Sequence, residues 1–210
     1  MLIKRFVNTV FNSNTYLLYK LEEETAWVID PGSSTDQLIN WLENNEKYLG
    51  GILLTHTHFD HIYGLNDLQE KYPDVNVYAS VFAKEGMVSE KLNGSLYKEI
   101  PFTIKRPEYI VLKENDQISL WDNSFVNAIE TPGHDRDCLS FHINENLFTG
   151  DALIPGVKVF TKLKYSDKFL AKKSIQRIME QFDDNTIIWP GHGEMCILCN
   201  IGNTLVSNEY

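Results

Sequence analysis

The chain has 210 residues, of which 43% are hydrophobic and 23% charged, a composition typical of one folded domain with a sizeable core. Its 19 basic and 29 acidic residues give a formal net charge of −10, which disfavours nucleic acid as a partner. No apolar run reaches the roughly 20 residues of a membrane-spanning helix, and Asn8, Asn12 and Asn14 interrupt the N-terminal segment where a secretory signal would be apolar. We therefore expect a cytoplasmic protein with no membrane partner and a single domain over residues 1–210.

The first half of the sequence alternates strand and helix patterns. Residues 2–7, 15–19 and 26–29 are rich in β-branched and aromatic residues and predict a β meander. The pattern that follows predicts a helix capped by Ser33 or Ser34 and ending near Asn44, a strand at 52–54, a helix from His61 or Gly64 to Lys71, a strand at 75–79, a helix at 81–92 and a loop at 93–107. This order indicates β-α-β units after the meander.

Strand patterns dominate the second half as well. Strands are predicted at 109–112, 117–120, 125–130, 139–143, 147–148 and 186–189, with a helix from about Asp167 to Phe182. Two β-rich halves, each followed by helices, favour an α/β architecture in which sheets pack together with helices outside.

One short segment concentrates metal-ligating side chains. The pattern His-x-His-x-Asp-His, formed by His56, His58, Asp60 and His61, directly follows an apolar strand. A tight loop after a strand end lets the first two imidazoles point to one side and Asp60 and His61 to the other. Imidazole and carboxylate are ligand types that suit zinc, and also iron or manganese. The segment therefore predicts a metal site.

Three further candidate ligands follow glycine on loops at the ends of predicted strands: His134, Asp151 and His192. Glycine next to a ligand permits tight turns and close backbone approach. Of the 6 histidines only His142 lies outside these segments. We interpret His142, on an apolar strand, as a hydrogen-bonded structural imidazole.

The order His-x-His-x-Asp-His, Pro-Gly-His, Gly-Asp and Pro-Gly-His-Gly resembles the metallo-β-lactamase superfamily, and within it the glyoxalase II-like branch. The resemblance extends from Asn14 to residue 192 and implies the αββα four-layer sandwich fold. It also implies two divalent metal ions, with zinc as the first choice and iron or manganese as alternatives. By this resemblance one ion is held by His56, His58 and His134, the second by Asp60, His61 and His192, and Asp151 bridges the two.

The resemblance further implies a hydrolase in which a metal-bridging hydroxide attacks a thioester or ester. Asp60 is then the catalytic residue that orients the nucleophile or accepts its proton. A site that stays net positive favours a small anionic substrate. True β-lactamases of the superfamily generally have cysteine at the position of Asp151, which disfavours antibiotic hydrolysis, and the short segment 151–192 disfavours RNA cleavage.

Other functions stay open at this point. They are a mononuclear iron persulfide dioxygenase that fills only the first ion's ligand set, a lactonase or phosphodiesterase of the same fold, and a metal-binding protein without turnover. The sequence does not indicate an oligomeric state.

Several other residues have both a functional and a structural interpretation. Tyr63 and Tyr97 are candidate substrate contacts, with aromatic packing as the alternative. Lysines between residues 158 and 173 are interpreted as a solvated face rather than an anion-binding surface. Cys196 and Cys199 are interpreted as an incidental pair, and Cys138 as a buried apolar residue, all with reduced thiols.

Overall fold

A computed structural model of the chain describes residues 1–201. These residues form two compact units, one over Met1–Leu112 and one that begins at Lys113. Each unit contains one six-stranded sheet. The single domain over residues 1–210 stays a prediction.

The first unit begins with an antiparallel meander and continues with parallel strands, as predicted. Its sheet has the order β1-β2-β3-β4-β5-β6. The strands are β1 Leu2–Val7, β2 Asn14–Tyr19, β3 Thr25–Ile29, β4 Tyr48–Leu53, β5 Val77–Ser80 and β6 Ile110–Leu112. The carboxyl ends of β3, β4 and β5 therefore meet at one edge of this sheet.

The helices of the first unit are α1 Thr35–Asn44, α2 Phe59–Ile62, α3 Leu65–Lys71 and α4 Ala83–Met87, and a 3-10 turn lies at Ser95–Tyr97. The helix predicted for residues 81–92 is thus much shorter in the structure. Gly86 approaches Thr57 so closely that an added Cβ would lie 2.0 Å from the threonine Oγ1. The chain then turns, with the Ser89 amide donating to the carbonyl of Gly86. This close approach explains why a glycine stands inside the helix at that point.

The core of the first unit lies between its helices and its sheet. Leu38 and Leu42 on α1 and Leu65 and Leu68 on α3 belong to the same buried cluster as Ile52 on β4. These four leucines recur at helical spacing, so each helix presents one apolar face.

The second unit holds the sheet β12-β11-β10-β9-β8-β7. The strands are β7 Gln117–Trp121, β8 Ser124–Glu130, β9 Leu139–Ile143, β10 Asn146–Gly150, β11 Ile187–Pro190 and β12 Cys196–Ile197. Strands β7 to β10 are antiparallel neighbours, and β10 pairs with β11 in parallel. Strand β12 was not predicted, because its two residues are identified only by their pairing with β11.

One long helix, α5 Lys168–Gln181, covers apolar residues of the second sheet and confirms the predicted helix. Ile175 and Ile178 of α5 share a buried cluster with Leu147 on β10 and Ile188 on β11. Within residues 1–201, no helix combines the length and the apolar character needed to cross a bilayer.

Asp167 caps α5 and allows a test of this part of the fold. Its carboxylate accepts hydrogen bonds from the amides of Phe169 at 2.8 Å and Leu170 at 2.9 Å. We expect Asp167→Ala to lower the free energy of unfolding by about 1 kcal/mol, because two amides of the first turn lose their acceptor. Asp167→Asn keeps a capping oxygen and is the matched control. Urea unfolding at equal protein concentration measures the difference, and equal stability of Asp167→Ala and the wild type would contradict this capping role.

Candidate metal centre

The first group of candidate ligands lies at the carboxyl edge of the first sheet. Strands β3 and β4 run in parallel with Ile29 opposite Leu53, and the Asp30 amide donates to the carbonyl of Leu53 at 3.0 Å. The residues that follow these two strands are therefore neighbours. Asp30 follows β3, and Thr55 and His56 follow β4.

The motif residues of the first unit form one buried group, which we call the first cluster: His56, His58, Asp60 and His61. The ring of His56 lies 4.7 Å from that of His58 and 4.1 Å from that of His61, centroid to centroid. The ring of His56 thus contacts both other imidazoles of the motif. The ligand atoms of His56 and His58 lie within 4.8 Å of one another, as do those of Asp60 and His61, which agrees with the expected division of the motif into two pairs. Nε2 of His61 lies 3.6 Å from Oδ2 of Asp60.

Asp30 organises the first cluster without belonging to the motif. Its Oδ2 accepts from His61 Nδ1 at 2.9 Å and from the Thr55 hydroxyl at 2.5 Å. Its Oδ1 accepts from the Thr55 amide at 2.7 Å. Both carboxylate oxygens thus accept hydrogen bonds, so Asp30 orients the imidazole of His61; Asp30 also lies with His56 and His61 in a group whose ligand atoms are within 4.8 Å of one another.

The hydroxyl of Thr55 extends this orientation to a second imidazole. Because its one proton goes to Asp30, Oγ1 acts as acceptor towards Nδ1 of His56 at 3.1 Å. Both His56 and His61 then carry their proton on Nδ1. Each presents the basic Nε2, which is the form of imidazole that binds a metal ion.

The sequence did not identify this role of Asp30. The segment Asp30-Pro31-Gly32 has a sufficient explanation as a turn that ends β3, and Asp30 indeed has a left-handed φ of 52°. A usable signal was the position of an aspartate directly after a strand parallel to the one that precedes the histidine motif.

The second group of candidate ligands lies at the carboxyl edge of the second sheet. We call this group the second cluster; it consists of His134, Asp151 and His192. These residues follow the strands β8, β10 and β11, which all point in the same direction. Gly150 and Pro190 are partners in the parallel pair. The sheet topology thus brings together three residues that are far apart in sequence.

The geometry of the second cluster fits ligands that share ions. Oδ2 of Asp151 lies 3.5 Å from Nε2 of His134 and 3.6 Å from Nε2 of His192. Two donors about 2.0–2.1 Å from one tetrahedral ion lie about 3.3 Å apart. The observed spacings are close to this value and longer than an ordinary hydrogen bond. The donor set therefore fits a divalent ion such as zinc.

The orientation of His134 depends on backbone atoms. Its Nδ1 donates to the carbonyl of Phe160 at 2.9 Å, which leaves Nε2 facing Asp151. The preceding Gly133 has φ 145°, and an added Cβ would lie 2.2 Å from Cα of Ala171 on α5. Only glycine allows the loop to pass this close to the helix. Sequence reasoning missed Phe160 because a carbonyl contact has no residue-type signature.

The remaining candidates lie in varied surroundings. Tyr63 packs edge-on against Phe102, with ring centroids 5.5 Å apart, and Tyr97 is 74% exposed on the 3-10 turn. Their contact with substrate stays a prediction. His142 packs against a phenylalanine of the α5 terminus, and burial lowers the pKa of its imidazole. Its structural interpretation is consistent with this position.

The three cysteines, all within the described residues, have free thiols. Cys138 is buried, and burial raises the pKa of its thiol well above the usual value, in keeping with the predicted apolar role. Burial also raises the pKa of Cys196, while Cys199 is exposed. These positions assign no chemistry to the pair.

The chain is similar to known proteins over most of its length. The sequence profile of the Metallo-beta-lactamase superfamily matches residues 8–192. A probable metallo-hydrolase of Streptococcus pyogenes serotype M6 is 30% identical over 97% of this chain and 88% of its own length. Hydroxyacylglutathione hydrolase 1 of Vibrio vulnificus is 29% identical over 85% of this chain, and the match spans 62% of that enzyme's length. The crystal structure of the BLEG-1 B3 metallo-beta-lactamase superposes with a TM-score of 0.87 at 27% identity, covering 94% of this chain and 95% of the other.

The fold is that of a metallo-hydrolase superfamily, and it carries histidine and aspartate clusters suited to metal binding. The chain belongs to the metallo-β-lactamase superfamily and has its αββα sandwich fold. Relatives named hydroxyacylglutathione hydrolase support the glyoxalase II-like branch that the sequence motifs indicated.

The role of Asp30 can be tested by metal affinity. We expect Asp30→Asn to weaken zinc binding about tenfold to 100-fold, because an amide in place of the carboxylate holds His61 less firmly and makes its Nε2 less basic. Competition with a chromophoric chelator measures the affinity. Asp36→Asn, an exposed change in the first turn of α1, is the control and should bind zinc like the wild type. Unchanged affinity in Asp30→Asn would show that His61 is oriented without it.

Proposed function

We propose that the chain is a metal-dependent hydrolase that cleaves a thioester or ester in a small anionic substrate. The observation that carries this proposal is the position of Asp151, whose Oδ2 lies 3.5 and 3.6 Å from two imidazole Nε2 atoms. One carboxylate oxygen shared between two imidazoles is the arrangement expected of a bridging ligand. Membership of a superfamily of metallo-hydrolases supports it.

The two clusters are proposed to hold two divalent ions together. In this assignment His56, His58 and His134 bind one ion, Asp60, His61 and His192 bind the second, and Asp151 contacts both. The burial of the first cluster and the Nδ1 hydrogen bonds of its imidazoles support the assignment. Zinc is the proposed metal because imidazole and carboxylate donors suit it.

The charge of such a centre sets the kind of substrate. When bound, the ions lower the pKa of a water molecule to about 7 and polarise an acyl oxygen. Two divalent ions with the carboxylates of Asp60 and Asp151 leave the centre positive, which favours anionic groups and a developing oxyanion. Asp60 is proposed to orient the attacking water and to hold its proton. The Ser13 hydroxyl donates to the Asp60 carbonyl at 2.8 Å and fixes its backbone.

Relatives support the thioester as the bond cleaved. The Vibrio vulnificus relative is named a hydroxyacylglutathione hydrolase, and a hydroxyacyl thioester is the substrate that this name describes. The match spans less than two thirds of that enzyme, so only the acyl-thioester class, and not the glutathione part, is carried over.

Hydrolysis of a β-lactam is the second candidate. It is favoured by the BLEG-1 structure, which is matched over 95% of its length at 27% identity. The presence of Asp151 where cysteine is general among true β-lactamases is the argument against it.

Metal content is the first test. We expect wild-type protein purified without added chelator to contain about two zinc ions per chain by elemental mass spectrometry. His61→Ala should lose one of them, since it removes a ligand of the second ion. His142→Ala removes a histidine from outside both clusters and should keep both ions. A single iron ion that is insensitive to His61→Ala, together with oxygen consumption on a glutathione persulfide, would instead indicate a persulfide dioxygenase.

Turnover is the second test. We expect the metal-loaded protein to hydrolyse a hydroxyacyl thioester of glutathione faster than a chromogenic cephalosporin, and Asp60→Asn to lower kcat at least about 100-fold. Asp67→Asn, in the first turn of α3, is the control. A metal-loaded wild type that hydrolyses thioester, lactone and phosphodiester no faster than buffer would contradict the hydrolase proposal.

A further inference from the structure

A lysine ammonium lies on two aromatic rings next to the first cluster. Nζ of Lys98 lies 4.3 Å from the ring centroid of Phe11 and 4.4 Å from that of Phe59. The two rings meet edge to face with centroids 5.5 Å apart. Attraction between the ammonium and two ring faces restricts the rotamers of this exposed side chain. We call these three residues the Lys98 group.

The Lys98 group is attached to the metal motif at two points. Phe59 stands between His58 and Asp60 in the sequence, and its amide donates to the carbonyl of Asn93 at 2.8 Å, which ties the loop that carries Lys98 to the motif. Chain geometry then limits Nζ of Lys98 to within about 12 Å of the Cα atoms on either side of Phe59.

The turn that carries Phe11 is the second attachment. The Asn8 amide closes this turn on the carbonyl of Ser13 at 2.8 Å. The Ser13 hydroxyl donates to the carbonyl of Asp60 at 2.8 Å. The two rings that hold Lys98 are therefore both anchored to the residues of the first cluster.

The charge of Lys98 is not neutralised within the part of the chain that the structure describes. Its ammonium contacts only the two rings, and no carboxylate oxygen of residues 1–201 lies within 4.0 Å of it. Lys71 shows the ordinary alternative, because its Nζ pairs with Glu43 at 2.6 Å. In a protein with a net charge of −10, a fixed ammonium without an acidic partner is an available anion-binding group.

We propose that Lys98 is a specificity residue that binds a negatively charged group of the substrate. This inference rests on the proposed function, since it assumes that the first cluster is where the acyl bond is cleaved. The limit of about 12 Å applies to the Cα atoms of His58 and Asp60, so the charge is within reach of a substrate group that lies on the order of ten covalent bonds or fewer from the reacting bond. The structure therefore assigns as substrates acyl thioesters that carry a carboxylate on a short chain next to the thioester.

A matched pair of probes isolates the charge. The acetyl thioester of 3-mercaptopropionate carries a carboxylate, and its primary amide is neutral with almost the same shape. Release of thiol reports thioester cleavage for both. The thioether 3-(2-oxopropylthio)propanoate and its amide have no thioester to cleave, so calorimetry with them measures binding without turnover.

We expect wild-type enzyme to prefer the carboxylate over the amide, and Lys98→Met to lose that preference. The kcat/KM of the carboxylate probe should fall about tenfold, mainly through KM, because one charged contact to the substrate is lost. The amide probe should be unaffected, since methionine still packs between the two rings. Lys98→Arg keeps the charge and should restore most of the preference.

Lys4→Met is the matched control. Lys4 also lies over an aromatic ring, with Nζ 5.4 Å from the centroid of Phe6 on β1, and the substitution changes the net charge by the same amount. It should leave the ratio between the probes unchanged. A change as large as that of Lys98→Met would assign the effect to net charge and overturn the proposal.

Two further results would overturn the proposed role of Lys98, and neither of them contradicts the proposed function. One is a Lys98→Met enzyme that retains the full preference for the carboxylate, and the other is an equal loss on both probes. Failure of the proposed function looks different, because the wild type then cleaves neither thioester. Calorimetry with the thioethers still tests the role of Lys98 in that case. The proposal is supported if Lys98→Met removes preferential binding of the thioether carboxylate. It is overturned if the wild type binds both thioethers equally or binds neither.

Discussion

The first cluster depends on one buried carboxylate. Asp30 is 2% exposed, and a charge taken this far from water is costly unless hydrogen bonds satisfy it. Three donors do so: the amide and hydroxyl of Thr55 and Nδ1 of His61. Because these donors follow β4 while Asp30 follows β3, the interaction joins the ends of two strands. The orientation of the imidazoles and the local backbone are consequently one structural unit, and neither can change alone.

The second cluster reaches a similar orientation by another route. His134 donates its Nδ1 proton to a neutral carbonyl, that of Phe160, instead of a carboxylate. A carboxylate partner makes the opposite ring nitrogen more basic than a carbonyl partner does. His61 is therefore the stronger donor of the two, and His134 the weaker. This difference in donor strength adds to the difference in ligand type between the proposed ion sites, of which one has three imidazoles and the other two imidazoles and the carboxylate of Asp60.

Most strands, the helix α5 and the candidate ligands could be predicted from the sequence. The features that could not be predicted depend on contacts between residues that are distant in the sequence. Strands β1 and β9 were predicted with their observed bounds, because β-branched and aromatic residues are enriched in strands. The candidate ligands were recognised because histidine and aspartate at these spacings have few structural explanations. The helix α4 is shorter than predicted, and the glycine within it, Gly86, lies against Thr57, which is far away in the sequence.

The atoms that orient the candidate ligands also come from residues that are distant in the sequence. The carbonyl of Phe160 could not be predicted, since any residue supplies a carbonyl, and the ring contacts of Lys98 join three separate segments. Residue type thus predicts what a side chain can do chemically. Which atoms hold it in place depends on tertiary contacts that the sequence pattern does not record.

The net charge of the protein gives local positive groups their importance. A chain with a formal charge of −10 repels anions at long range. At physiological ionic strength this repulsion between exposed charges is screened beyond about 8 Å, so a substrate anion responds mainly to the groups nearest to it. In the proposed centre those groups include the metal ions and the ammonium of Lys98. Lys98 is held by two rings and has no acidic partner among residues 1–201. Because its charge acts only over such a short distance, it distinguishes substrates by where their charge lies and not merely by how much charge they carry.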